Sequence, residues 1–220
     1  MALFELKNIS VGYADYPLIS NLSLTLDLGD ILSVVGQNAS GKSSLIKAIF
    51  GQEAWMKGAM HYKGNAINNF TRNDISNRNI AWMLQSRPIF PGLKVIDILR
   101  ALYKKGNKAS FEKTLVWLSN SISPLKDIIE QEAQVLSGGE KAAFSLAMTL
   151  INRPHLIFLD EPFAGVDKNR IEGFVQCLNN YVRLQPAACL LIEHRADVVS
   201  KLGCQTLDLD AGTQLSPMPL

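Results

Sequence analysis

The chain has 220 residues, of which 47% are hydrophobic and 19% charged, with a net charge of +2. That length fits one large domain or two small lobes, and the composition permits a buried core and excludes a disordered chain. No block of lysine and arginine stands out, so charge by itself argues neither for nor against nucleic acid.

Residues 1–8 alternate apolar and polar like a strand, with no basic leader or cleavage site, so no signal peptide is expected. Leu22, Leu24, Leu26 and Leu28 form a period-2 apolar face. Residues 31–35 read as a buried strand, followed by a glycine-containing loop and a helix over about 42–50 that Gly51 closes. A hairpin-like stretch ends at Gly64-Asn65, and residues 80–84 form another short apolar strand. From about 93 to 133 the pattern turns helical. Val95, Ile96, Leu99 and Leu102 fit one face and Phe111, Leu115 and Leu118 another, with a polar break at 104–108. This predicts a helical lobe inserted into an α/β frame. A helix follows over about 137–152, with Phe144, Ala147, Leu150 and Ile151 inward. Residues 156–159 and 189–192 are continuous apolar runs of strand length, as in a parallel sheet covered on both faces.

Cys177, Cys189 and Cys204 match no metal or redox spacing and read as buried free thiols. The longest apolar runs, such as 31–35 and 187–192, fall far short of the ~20 residues that span a membrane. The expectation is a soluble chain whose membrane role, if any, passes through a partner. With the chain ending near Leu220, control by an extra C-terminal module is not expected.

Three motifs carry the chemistry. Gly36-Gln37-Asn38-Ala39-Ser40-Gly41-Lys42-Ser43 fits G-x-x-x-x-G-K-[ST] between a buried strand and a helix. Glycines let successive N–H groups turn toward phosphate oxygens, and the helix N-terminus adds positive character. Lys42 can reach the β- and γ-phosphates, Ser43 can ligate Mg²⁺, and Ser44 can bond the α-phosphate. Residues 156–162 end an apolar strand in Asp160-Glu161-Pro162. Asp160 is placed to hold Mg²⁺ through water, and Glu161 can orient or deprotonate the attacking water. The third motif, Leu136-Ser137-Gly138-Gly139-Glu140, is a small-residue turn opening a helix, a second anion site.

With the other two motifs, this last segment resembles the ATP-binding subunit of an ABC transporter, over about residues 3–215. The resemblance implies an α/β fold: a P-loop NTPase core with a mainly parallel sheet, an N-terminal antiparallel β subdomain and an inserted α-helical subdomain. It implies a single ABC ATPase domain over 1–220, with the helical insert at 86–135. It implies ATP and Mg²⁺ as cofactors and two ATP molecules sandwiched in a head-to-tail dimer, with Ser137, Gly138 and Gly139 capping the γ-phosphate on the other subunit. That dimer is expected to pair identical chains or two related ones. Gln85 resembles the glutamine that approaches Mg²⁺ and the attacking water, and His194 the switch histidine on the γ-phosphate. Residues 164–167 resemble the loop that links the two sites. Tyr13 resembles the aromatic that stacks on adenine, with Tyr16 its neighbouring rival. His61 and His155 are read as structural. Catalysis is thus expected of Glu161, His194, Gln85 and Lys42, and metal binding of Ser43, Gln85 and Asp160.

There are departures. Family loops commonly carry glycine where Ala39 stands. Lys141 to Ser145 replaces a glutamine- and arginine-rich stretch, and Arg195 follows His194 where relatives often have aspartate. The leading expectation is a transport ATPase peripheral to the inner face of the cell membrane, acting on separate permease subunits and on no nucleic acid. Residues 86–93, with Ile89 and Phe90 as apolar groups, resemble the place that receives a short helix from the membrane partner; packing of these side chains into the helical lobe is the alternative. The string over 160–167 with 192–194 is similar to the branch of branched-chain amino-acid importers and lipopolysaccharide export ATPases. The rival expectation is a soluble ABC ATPase of the iron–sulfur assembly kind.

Overall fold

The computed structural model describes residues 2–52, 54–83 and 90–210 and the backbone of 214–216. Its strands are β1 (Phe4–Tyr13), β2 (Tyr16–Leu26), β3 (Ile31–Val35), β4 (Trp55–Tyr62), β5 (Asn65–Ile67), β6 (Ile80–Met83), β7 (Leu156–Asp160), β8 (Ala188–Ile192), β9 (Gln205–Asp208) and β10 (Gln214–Ser216). They form two sheets. The first is antiparallel, in the order β2-β1-β4-β5. The second runs β10-β9-β3-β8-β7-β6 and is parallel except for β10.

The period of two along each strand decides what the parallel sheet meets on its two faces. On β7, Leu156 and Phe158 face the antiparallel sheet, while Ile157 and Leu159 face the helices. On β8, Leu190 and Ile192 take the first side, and Cys189 and Leu191 the second. Both faces are therefore covered, which is why these strands read as unbroken apolar runs. Between the sheets lies an aromatic cluster. Phe158 meets Phe4 and Phe50 edge-on with centroids 5.4 and 5.2 Å apart, and Trp82 stacks on Phe50 at 4.4 Å.

The helices are α1 (Lys42–Ile49), α2 (Arg72–Asn77), α3 (Val95–Leu102), α4 (Lys108–Ser121), α5 (Leu125–Ile128), α6 (Gly138–Leu150), α7 (Lys168–Leu184) and α8 (Ala196–Leu202). Helices α3, α4 and α5 share one apolar core with α6 and α7. The polar break holds: Asn107 caps α4 by accepting the Ser110 N–H. Asn152 fixes the α3–α4 connection to the end of α6, donating to the Leu102 carbonyl and accepting the Lys104 N–H, both at 2.8 Å.

Two faces differ from the sequence pattern. Leu28 lies past the end of β2 in a turn with Gly29 in the left-handed region, so it is exposed although its alternation continues. On α3 the buried stripe is Val95, Ile98 and Leu99, and Leu102 is partly exposed because the helix ends there. The three cysteines are buried free thiols, as expected, and burial pushes Cys177 up to about 12 and Cys204 to about 11. Among the described residues no helix is long and apolar enough to cross a membrane.

Candidate functional site

The phosphate loop connects β3 to α1. Its curl comes from three residues in the positive-φ region: Gly36 (φ 148°), Ala39 (φ 67°) and Gly41 (φ 94°). A Cβ on Gly36 would lie 2.8 Å from Ser40 Oγ, so a side chain there would make Ser40 shift as well as strain the backbone. Ala39 holds a left-handed conformation that favours glycine. Gly41 precedes α1, so the first N–H groups of the helix open toward the loop. Asn38 is exposed on the loop, and Ser44 is half-buried in the first turn of α1.

Lys42 is only 7% exposed. Its ammonium donates to the carbonyls of Gly36 (2.8 Å) and Gln37, inside the curve of the loop. Ser43 Oγ donates to Asp160 Oδ1 at 3.2 Å, joining the start of α1 to the end of β7. Asp160 is 4% exposed. Burial holds its carboxyl above the ordinary range, against the Ser43 hydrogen bond; nearby Glu161 raises it further, and Lys47 and Lys42 oppose.

Glu161 follows in a left-handed conformation (φ 51°), rare for a residue with a Cβ. Its N–H donates to the Ile192 carbonyl at 3.1 Å, which binds the end of β7 to the end of β8. That link brings His194 close: His194 Nδ1 lies 3.8 Å from Glu161 Oε1 and 3.8 Å from Glu193 Oε1. The parallel strands thus deliver Lys42, Ser43, Asp160, Glu161 and His194 to one edge of the sheet, where ligands sit in open α/β sheets.

The other expected residues lie apart. Ser137 caps α6 in a reciprocal box: Glu140 Oε2 accepts the Ser137 N–H at 2.8 Å, and Ser137 Oγ accepts the Glu140 N–H. The Ser137 hydrogen bonds hold the Glu140 carboxyl below its usual range. A Cβ on Gly139 would lie 3.3 Å from the Gly165 carbonyl, so the signature turn and the 164–167 loop pack glycine to glycine within one chain. Tyr13 ends β1 opposite Tyr16, partly buried where Tyr16 is well exposed. Side chains of β2, Leu18 and Ile19, approach the Cβ position of Gly41.

Gln85 and Ile89 lie outside the described residues. Phe90 packs edge-on against Phe144 of α6 at 6.3 Å, so this side chain turns into the helical core. His155 is structural, with Nδ1 2.9 Å from the Pro186 carbonyl, and His61 lies at the antiparallel sheet near Glu5. Two acids escaped the sequence reading. Asp210 Oδ2 accepts the Gln37 N–H and so anchors the first turn of the phosphate loop. Glu193 is buried beside His194. Asp210 follows the alternating stretch Leu207-Asp208-Leu209 and not an apolar run like the one before Asp160, so no comparable signal marks it in the chain.

Ser43 and Asp160 offer hard oxygen donors, and Asp160 is a buried carboxylate whose charge a dication would offset, which fits Mg²⁺. No group of three or more metal-binding side chains occurs among the described residues.

The fold and these motifs define an ATP-binding cassette ATPase. The family model for ABC transporters matches residues 19–164, and the chain belongs to that family. Among its relatives, the tungstate uptake system ATP-binding protein TupC of Peptoclostridium acidaminophilum is 28% identical over 206 residues, covering 94% of each chain. The lipoprotein-releasing system ATP-binding protein LolD of Wigglesworthia glossinidia brevipalpis is 27% identical, covering 96% of each. The spermidine/putrescine import ATP-binding protein PotA of Legionella pneumophila (strain Paris) is 29% identical over 166 residues, and the chain spans only 45% of that relative's length. A dimeric ATP-binding cassette in a post-hydrolysis state with ADP and Pi superposes with a TM-score of 0.82 at 18% identity, covering 99% of each chain. That likeness concerns the fold alone.

Proposed function

We propose that the chain binds Mg-ATP in its phosphate loop, hydrolyses it in a head-to-tail dimer, and powers a separate transmembrane partner. The observation that carries this reading is the meeting of Lys42, Ser43 and Asp160 at one sheet edge, with Glu161 and His194 beside them. Lys42 exchanges its loop carbonyls for β- and γ-phosphate oxygens. Loop N–H groups from Gly36 to Ser43 and the Ser44 hydroxyl bind the remaining phosphate oxygens, and Tyr13 stacks on adenine. Mg²⁺, held by Ser43, Asp160 and Gln85, supplies neutralisation of phosphate charge when bound. Glu161 accepts the proton of the water whose oxygen bonds to the γ-phosphorus as the bond to ADP breaks. His194 donates to the γ-phosphate, and Gln85 orients the water. Ser137, Gly138 and Gly139 of a second copy close the far side.

Residues 1–220 are read as one such domain, with a helical unit inserted over 86–135; the shared core of α3 to α5 with α6 and α7 supports this. The membrane partner is one or more permease subunits, and the chain works on the cytoplasmic face of the membrane. A cavity of about 470 Å³ between β6, α6 and the α3–α4 connection supports a docking place. Met83, the residue before the segment 84–89, lines it with Trp82, Met148 and Lys105.

Glu161→Gln should keep ATP binding, stop turnover and leave an ATP-bound dimer visible by light scattering. Hydrolysis at the parent rate would remove Glu161 as the base. For the transport role, the chain is expected to co-purify from membranes with a multi-span protein. Recovery with soluble partners alone would favour a soluble ABC ATPase instead.

A further inference from the structure

The imidazole of His194 has little of its own to hold it. It is 52% exposed, and its two acidic neighbours stand at 3.8 Å, beyond hydrogen-bond distance. Its position is therefore set by its main chain. One side chain bonds that main chain directly. Glu193 is 1% exposed, and its Oε1 accepts the N–H of His194 at 3.0 Å and of Arg195 at 2.9 Å. The Glu193 N–H in turn donates to the Val34 carbonyl at 3.4 Å, on the strand that leads into the phosphate loop. Burying a carboxylate is unfavourable unless it is hydrogen-bonded, and burial raises this carboxyl above its usual range. An ordinary polar turn would avoid that penalty. Here the acid accepts from two adjacent N–H groups of the β8–α8 turn, which offsets part of that cost.

We propose that Glu193 is a positioning residue: its buried carboxylate clamps the turn after β8 and so aims His194 at the γ-phosphate beside Glu161. This rests on the reading of His194 as the γ-phosphate contact. Both N–H bonds fall on one oxygen, so an amide retains the clamp and a methyl group does not.

The test measures kcat and KM for Mg-ATP in Glu193→Ala, Glu193→Gln, His194→Ala and the Ala/Ala double variant. Glu193→Ala should lose about tenfold or more in kcat with KM within about twofold, because the group acts on the transition state through His194. Glu193→Gln should stay within about threefold of the parent, and the double variant should be no slower than His194→Ala, as coupled residues require. If Glu193→Ala does not fold, Glu193→Met fills the volume without an acceptor and is read the same way. The proposal is overturned if the two alanine effects multiply, if Glu193→Ala loses ATP binding together with kcat, or if Glu193→Gln is as slow as Glu193→Ala. A parent chain without turnover overturns the underlying reading of the site, and this inference with it; multiplying effects in an active parent overturn this inference alone.

Discussion

Asp160 illustrates how much of the site is decided at single residues. Its carboxyl is pushed up by burial, and the Ser43 hydrogen bond and the two lysines only partly counter this. An acid whose folded pKa is raised binds its proton more readily in the native state, so stability falls as pH rises from the unfolded value through the folded one, and the deficit persists above it. Asp160→Asn keeps an acceptor for Ser43 and removes the charge. In metal-free buffer it should unfold at a higher midpoint than the parent at pH 7, with the gain shrinking toward about pH 4. Urea denaturation at several pH values checks this, and equal midpoints at neutral pH would count against it. Ala39 and Glu161 show what sequence leaves unsaid at this scale. Each residue type is plain in the chain, but their left-handed backbone is imposed by the turns they sit in.

Among the elements, β7 carries both layers of the molecule. Phe158 projects into the aromatic cluster between the sheets, and Ile157 and Leu159 project into the helical core. Phe158 is fully buried and meets Phe4 and Phe50 edge-on. Phe158→Ala should therefore lower stability by about 3–5 kcal/mol, the usual loss for a buried phenylalanine. Chemical denaturation reads this directly, and a loss below about 1 kcal/mol would mean that the cluster collapses to fill the space. The strand itself was legible as an apolar run ending in acids. Which of its residues faces which layer was not, because a run apolar at every position carries no alternation to read. On α3 the periodicity misplaced Leu102, since periodicity gives a face but not the turn at which the helix stops.

For the whole molecule, the decisive arrangement is that the signature turn and the 164–167 loop pack together on the same chain, Gly139 against Gly165. In a head-to-tail pair, closing one site would thus press on the loop that belongs to the other. At saturating ATP, turnover per chain should rise with protein concentration until the dimer saturates, while the amount of ATP bound per chain stays constant. A rate per chain that does not change on dilution well below the dimer's dissociation constant would contradict a shared site.

The sequence by itself determined the motifs: a G-x-x-x-x-G-K-S loop between strand and helix, two acids at a strand end, and a small-residue turn at a helix start. Such groups are readable because backbone curvature and metal binding need particular residue types at fixed spacing. Only the tertiary structure decided what joins them. Ser43 meets Asp160 across 117 positions of chain, Asp210 anchors Gln37 across 173, and Glu193 holds the turn that carries His194. These contacts follow from the parallel order of β9, β3, β8 and β7, and a strand order fixed by packing between layers leaves no local signature in the chain.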